Sequence, residues 1–295
     1  MAMSPRAQKW IVTGPPLVYL LLFFAIPTLI MVVASFRYTG EYGGLAPLFG
    51  TGDPDEIAGL TVESYQRFFG DAIYLELFAK SFAYAAITTL ACLGLAYPLA
   101  LTIARSPKKW RDALVLLVIL PFWSNFLIRV YAWMIILGPQ SVFARGLDGA
   151  LGLVGLGPVP LLFSPVAVLI GLVYVHLPFM VLPLYANLEK HDPALLDAAQ
   201  DLGARGWARF WRVTFPLSLP GVYAGAALVF IPALGIFAIP DILGGTDSIL
   251  IGNLIKQQFL DSRDWPFGGT LSIVLTAIAI GFAGLAAWFA RRRRT

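Results

Sequence analysis

The chain has 295 residues, of which 58% are hydrophobic and only 13% charged, with a net charge of +4. Soluble globular proteins carry roughly 25% charged residues, so this composition, with a mean hydropathy of +0.77, points away from a soluble enzyme and toward a membrane protein. The basic residues sit in short clusters between apolar runs, which argues against nucleic-acid binding, and the single cysteine, Cys92, excludes an internal disulfide and has no partner at metal-ligand spacing.

The N-terminus places Arg6 and Lys9 ahead of an apolar run over 11–36. A secretory h-region is about 7–15 residues long. This run is far longer and ends without a small-x-small cleavage pattern, so it reads as a retained membrane helix. Crossing about 30 Å of hydrocarbon takes about 20 mostly apolar helical residues. Spans are predicted on that basis at 11–36, 79–104, 113–137, 161–188, 222–244 and 270–290. Alternating strand patterns are absent, so the expected fold is an all-α polytopic membrane protein with six transmembrane helices rather than a barrel.

Between the first two spans, 37–78 is long and acid-rich, with Glu41, Asp53, Asp55, Glu56, Glu63, Asp71 and Glu76. Its first part is a Gly/Pro-rich loop. From Thr61 onward Val62, Tyr65, Phe68 and Phe69 recur at helical spacing, which predicts an amphipathic helix on the outer surface. The stretch 138–160, rich in Gly and Pro, predicts a turn or re-entrant bend. The division that follows is a first unit of 1–78, a five-helix core of 79–290 and a basic tail of 291–295.

Lys and Arg set the orientation, since they gather on the cytoplasmic side. With the N-terminus inside, the inner segments hold Arg6, Lys9, Arg105, Lys108, Lys109, Arg111, Lys190, Arg205, Arg209, Arg212 and the arginines of 291–294. The outer segments hold Arg37, Arg67, Lys80, Arg145, Lys256 and Arg263. Both termini are therefore placed in the cytoplasm, with the C-terminal arginines acting as a stop-transfer anchor.

The inner segment 189–221 is too patterned for a simple connector. Asp192-Pro193 is a helix start: Asp caps free N–H groups and Pro suits the first helical position. Leu195, Ala198, Ala199 and Leu202 then share a face, and Gly203 is a natural C-cap. A second amphipathic stretch puts Trp207, Phe210, Trp211 and Thr214 on one side and Arg205, Arg209 and Arg212 on the other, before Pro216 and Pro220-Gly221 end it. The small Ala198-Ala199 knob fits a partner's cleft, but the same spacing fits a helix lying on lipid.

Ionisable residues within a span cost about 2.5–3.5 kcal/mol each at its centre, and so invite a functional reading. Arg129, His176 and Asp241 qualify. Phe230, Leu234, Phe237 and Asp241 fall on one face if span five is a continuous helix. An aromatic stripe ending in a carboxylate suits an organic cation, through charge and cation–π attraction. A packing stripe with its carboxylate at the water interface fits equally well. Arg129 complicates a cation path; pairing with Asp241, snorkelling outward and contact with a partner protein are all open to it. Trp123, Tyr131 and Tyr174 are further path candidates, and His176 reads as a packed, hydrogen-bonded residue beside the Pro178 kink.

The run Asp197-Ala198-Ala199, then Asp201-Leu202-Gly203-Ala204, Phe210, Val213 and Pro216 through Gly221, resembles the EAA loop of ABC-importer permeases. The usual pattern opens on Glu; Asp197 keeps the charge and is one methylene shorter. Pro121-Phe122-Trp123 through Trp133, and Asp241 to Gly245 followed by Leu250-Ile251-Gly252-Asn253 to Phe259, are similar to permeases of the spermidine/putrescine family. The resemblance covers most of 61–290. It implies a type I ABC-importer (MetI-like) permease fold in the bacterial inner membrane. It further implies a second permease subunit of a different sequence, two cytoplasmic ATPase subunits and a periplasmic solute-binding protein, within surrounding lipid. The implied coupling residues are Asp197, Ala198, Ala199, Asp201, Leu202, Gly203, Ala204, Arg205 and Arg209. No Gly-x-x-x-x-Gly-Lys-Ser/Thr phosphate loop occurs, so ATP and Mg are assigned to the ATPase partners, and this chain itself needs no cofactor or metal. Relatives of this kind also move opines, other amines, thiosulfate or iron complexes. An intramembrane enzyme is disfavoured by the lack of Gly-x-Ser-x-Gly or His-Glu-x-x-His, and a secondary transporter by the lack of an inverted repeat.

Overall fold

A computed structural model describes residues 5–50, 57–153, 155 and 157–292, with side chains outside 5–9, 285–287 and 289–292. In chain order the helices are α1 (Pro5–Leu20), α2 (Ile26–Ser35), α3 (Glu63–Gly70), α4 (Ala72–Arg105), α5 (Lys108–Ile119), α6 (Phe126–Leu137), α7 (Val142–Leu153) and α8 (Pro165–Leu188). They continue with α9 (Pro193–Asp201), α10 (Gly206–Arg209), α11 (Phe215–Gly235), α12 (Ala238–Leu243), α13 (Ile251–Leu260) and α14 (Trp265–Arg292). Among the described residues, β pairing is confined to two isolated bridges, Arg37 with Leu60 and Thr39 with Leu45. The chain forms two compact units, 1–75 with 254–277 and 76–253 with 278–295.

Among the described residues, six helical stretches are long and apolar enough to cross a membrane: Trp10–Ser35, Ala72–Arg105, Phe126–Leu153, Pro165–Leu188, Gly206–Gly235 and Trp265–Gly284. The first, second, fourth and sixth overlap their predicted spans over most of their length, while the fifth starts sixteen residues before the predicted 222 and ends nine before the predicted 244. The third differs. The predicted 113–137 is split by a 3-10 turn at Leu120–Trp123, and Asn125 caps α6 by accepting from the N–H groups of Leu127 and Ile128. Pro121 supplies the reason, since it lacks the N–H that would continue α5. Packing keeps α5 and α6 together all the same. Leu114, Val115 and Val118 of α5 lie in the cluster at the Met180–Leu188 end of α8. Val130 and Leu137 of α6 lie in the cluster at its Ala167–Val175 end.

The 138–160 stretch is not merely a turn. It contains α7, although Gly146, Gly149 and Gly152 all lower helix propensity. Ser141 Oγ accepts the Ala144 N–H at 2.9 Å, and Ala144 and Leu147 pack into the α6–α8 cluster. Tertiary burial overrides the glycines. The basic tail at 293–295 lies outside the described residues.

A second correction concerns Pro216 and Pro220, which do not end the stretch after Gly203. α10 runs through a π turn at Phe210–Thr214 straight into α11. An internal proline loses one donor, and its ring meets the carbonyl four residues back. In the wide turn the Phe215 N–H reaches instead to the Phe210 carbonyl, five residues away. Pro216 therefore sits just beyond a loosened turn, and the helix continues. The first span repeats the device: a π turn at Leu21–Ala25, closed by Ile26 N–H to the Leu21 carbonyl, precedes Pro27.

In the first unit, α3 is the amphipathic helix the pattern predicts. Its Phe68 is buried, Tyr65 stacks on Phe36 at 4.8 Å, and Arg67 joins Asp264 at 3.1 Å while lying 4.1 Å over Phe267. The second unit is organised on α8 and α11. Gly221 and Gly225 let them approach: a Cβ at Gly221 would stand 3.0 Å from the Pro183 carbonyl oxygen, and one at Gly225 2.7 Å from the Met180 sulfur. Helices in lipid associate through such small-residue contacts, because burial from water offers no gain there. Cys92 is fully buried. So is His176, whose Nδ1 donates to the Leu172 carbonyl at 2.8 Å, as its place beside Pro178 predicted.

Candidate functional site

Two places in the second unit gather the residues singled out in the sequence. The first is the elbow of α9 and α10. Asp192 caps α9 by accepting from the Ala194 N–H at 2.9 Å, and Pro193 takes the first helical position. The helix closes in a Schellman motif: Ala204 N–H binds the Ala199 carbonyl and Gly203 N–H that of Gln200, both at 2.9 Å. Gly203 holds φ +85°, which an L side chain adopts only with strain. α9 buries none of its residues within the chain. Leu202 is 89% exposed, Ala198 is exposed and Ala199 half-buried. A helix that leaves its apolar face uncovered is built to be covered by something else.

The elbow is braced from behind. Arg209 donates to Gln200 Oε1 at 3.2 Å and ties α10 to α9, whereas Arg205 and Arg212 stay exposed. Phe210 packs edge-on against Tyr97 of α4 at 5.3 Å, and Tyr97 shares a 2.7 Å hydrogen bond with Ser218 of α11. Arg111, at the start of α5, reaches Glu189 after α8 at 2.7 Å. A hydrogen bond from Tyr185 and then the Arg111 guanidinium hold the Glu189 carboxyl below its ordinary range. A groove of about 560 Å³ remains between these elements, lined by Arg105, Arg111, Glu189, Asp192, Asp197 and Arg209 among others.

The second place is the far end of α11, where the predicted 222–244 helix breaks. Gly235 ends α11, Ile236 is extended, and α12 starts at Ala238. Pro240 is the cause: it supplies no N–H to the Ile236 carbonyl, and its ring would strike that carbonyl in a continuous helix. The predicted single-face stripe is thereby overturned. Phe230 and Leu234 are buried, Phe230 against Phe82 and Phe282. Phe237 is 45% exposed and Asp241 is exposed beyond the break.

Gly252 of α13 seats directly on the break, where a Cβ would stand 2.5 Å from the Gly235 carbonyl oxygen and 2.7 Å from that of Ile236. The next residue, Asn253, is 3% exposed. Its Oδ1 accepts the Leu250 N–H at 3.0 Å, and its Nδ2 donates to the Phe237 carbonyl at 3.0 Å and to the Asp241 carboxylate. The same loop is held from α4, with Lys80 donating to the Asp247 carbonyl and the Ile251 N–H to Ser81 Oγ at 2.8 Å. Sequence reasoning marked Asp241 but gave Asn253 no role. Pro240 signals the break itself, but the Phe237 carbonyl that Asn253 meets already accepts the Asp241 N–H, so no local signal pointed to Asn253.

The remaining candidates are dispersed. Arg129 lies 5.5 Å over the Phe122 ring rather than against Asp241, with its Nε buried and unpartnered. Tyr174 packs on Trp133 at 5.5 Å. Trp123 is 75% exposed and Tyr131 48%.

Residues 96–295 match the family described as binding-protein-dependent transport system inner membrane component. The spermidine/putrescine transport system permease protein PotB of Escherichia coli (strain K12) is 43% identical over 274 residues, 93% of this chain and 94% of that protein. PotB of Haemophilus influenzae is 40% identical over 260 residues, 88% of this chain and 86% of that protein. The inner membrane ABC transporter permease protein YdcU of Escherichia coli (strain K12) is 31% identical over 236 residues, 76% of this chain and 75% of that protein. Among solved structures, a chain of the bacterial alginate ABC transporter in complex with alginate pentasaccharide-bound periplasmic protein aligns with a TM-score of 0.71 at 18% identity, covering 97% of this chain and 96% of that one. That likeness concerns the fold.

Proposed function

The chain belongs to the binding-protein-dependent transport system inner membrane component family, and from that premise we propose that it is the permease subunit of an ATP-driven importer of spermidine and putrescine. It is a multi-pass membrane protein of an ABC-permease fold. In the proposed assembly it pairs with a second, different permease subunit. A periplasmic binding protein delivers the polyamine, and two cytoplasmic ATPase subunits bind ATP and Mg and carry out hydrolysis. Both termini face the cytoplasm in this arrangement, in keeping with the distribution of Lys and Arg.

One observation carries the mechanism: the uninterrupted helical stretch Gly206–Gly235 connects the elbow to the break at Ile236. In this reading α9 seats its Ala198-Ala199 face in an ATPase groove, with Asp197, Asp201, Leu202, Gly203, Ala204, Arg205 and Arg209 forming or flanking the contact. Movement of α9 passes through the Arg209–Gln200 bond to α10 and so to α11. At the other end Asp241 and Phe237 face the substrate path, where a carboxylate, an aromatic ring and the negative end of α11 all favour an organic cation.

Reconstitution into proteoliposomes with the cognate ATPase, partner permease and binding protein tests the assignment. Labelled spermidine is expected to accumulate only with internal or external ATP on the ATPase side, and accumulation is expected to persist when the proton gradient is dissipated. Uptake that follows the proton gradient without ATP would overturn the importer class. A cognate binding protein that takes another solute in preference to polyamines would overturn the substrate.

A further inference from the structure

We infer that Tyr97 is a positioning residue for coupling: from α4 it braces the wide turn at Phe210–Thr214, so that movement of α9 reaches α11 instead of being absorbed in the turn. The inference rests on the reading of α9 as the segment that docks on an ATPase, and adds the group that keeps the connection stiff. The turn is the weak point of the Gly206–Gly235 stretch. Its closing bond spans five residues, from the Phe215 N–H to the Phe210 carbonyl, and Pro216 brings no N–H to the Arg212 carbonyl four residues back. Helices bend at π turns and at prolines, and here the two coincide. There is also room to bend. A groove of about 700 Å³ lies beside the turn, between Trp207 and Trp211 on one wall and Leu93, Gly94 and Pro98 of α4 on the other.

Tyr97 bridges that gap. Its side chain is buried and meets the stretch before, across and after the weak point. The ring packs edge-on against Phe210 at 5.3 Å and lies 6.0 Å from Phe215, the two residues that the closing bond joins. Its hydroxyl shares the 2.7 Å hydrogen bond with Ser218, one turn further on. The Ser218 proton is committed to the Phe215 carbonyl at 2.8 Å, so the Tyr97 hydroxyl is the donor. A brace also needs a firm base. On the same side α4 is held to α8, where Cys92 Sγ reaches the Val173 carbonyl at 3.6 Å, and Cys92, Ala96, Ala100 and Ile103 are buried in the cluster that contains Met180 and Leu184. Arg209, which ties α10 to α9, immediately precedes the turn, so a pull from α9 arrives at the place that Tyr97 holds.

The test uses the full reconstituted transporter with its binding protein and reads spermidine taken up per ATP hydrolysed. Tyr97→Phe keeps the ring and removes only the donated hydrogen bond, while Ser218 retains its own bond to Phe215. It is expected to lower uptake about fivefold, the weight of one net hydrogen bond, with binding-protein-stimulated hydrolysis at the parent rate. Ser218→Ala is expected to lower the ratio by a similar factor. The double variant is expected to be no worse than the more defective single one, because both remove the same bond. An unchanged ratio in Tyr97→Phe, whether both activities are normal or both fall in proportion with a lower unfolding temperature, would overturn the bracing role and leave the coupling reading standing. Losses that multiply in the double variant would overturn it as well. Ala199→Glu on α9 is the control: normal uptake and normal ATPase co-purification there would remove the coupling reading, and the inference with it. If Tyr97→Phe does not assemble with the ATPase, Ser218→Ala is read in its place and must show the same fall in the ratio.

Discussion

At the scale of single residues, charge in or near the spans is handled by a few specific partners. Arg129 illustrates the cheapest solution: the guanidinium spreads over Phe122 and keeps a half-buried position without a carboxylate. Arg129→Lys, which exchanges a planar cation for a compact one, is expected to reduce stability in detergent by about 0.5–1 kcal/mol, read as a lower unfolding midpoint. Glu189 is tied differently. Tyr185 and Arg111 stabilise its ionised form, so its carboxyl loses its proton more readily in the folded chain than in the unfolded one. That contribution is fully present above the ordinary carboxyl range and disappears as pH falls through the lowered folded value. Glu189→Gln is therefore expected to lower the unfolding temperature at neutral pH, with the gap to the parent protein closing in acid. A gap that widens in acid would show that the pair does not act through the charge.

At the scale of elements, α8, α9 and α11 separate what a sequence reveals from what it conceals. The Asp192 cap, Pro193, the Ala198-Ala199 face and the Gly203 stop were all legible, because capping and left-handed C-caps depend on local chemistry. Consequently Gly203→Pro, and Ala199→Glu on the half-buried side of α9, are expected to leave membrane insertion intact while abolishing uptake or ATPase co-purification; normal transport in both would sink the coupling assignment. The π turn before Pro216 was hidden, since proline signals an end unless the preceding turn loosens, and that loosening shows only in the backbone. The break at Ile236 was hidden behind a hydrophobic run that satisfies any span criterion, although Pro240 carried its cause. α7 was hidden because burial of Ala144 outweighs three glycines. The α8–α11 crossing gives a graded prediction. Gly221→Val meets the Pro183 backbone and is expected to cost about 1–3 kcal/mol as overpacking. Gly225→Ala meets the flexible Met180 side chain at 2.7 Å and the Met180 backbone only at 3.3 Å, and is expected to cost less. Thermal unfolding of the two variants side by side distinguishes them.

At the scale of the whole molecule, six apolar spans set a topology that constrains where energy enters and where solute crosses. The elbow and the span-five break lie at opposite ends of the Gly206–Gly235 stretch, whose 30 residues at 1.5 Å per residue are ample for the hydrocarbon core. If the lysines and arginines orient the chain as proposed, the elbow is cytoplasmic, and Asp241 opens toward the side from which a binding protein delivers its cargo. Reporter fusions check this without any transport assay. A fusion at the C-terminus and one within 189–192 are both expected to report the cytoplasm, and one at 245–247 the opposite side. Should 189–192 and 245–247 report the same side, α11 does not cross, and the elbow has no helix through which to act on the break. In the proposed assembly, the helical stretch Gly206–Gly235 is what links the elbow, tied by Arg209 to Gln200, with the break beyond it, where Asn253 holds the Phe237 carbonyl. Replacing Pro240 with alanine supplies the missing donor for the Ile236 carbonyl and favours a continuous helix. That variant is expected to fold and to retain ATPase binding but to lose uptake, because the break, rather than the length of the span, is what sets Asp241 in place.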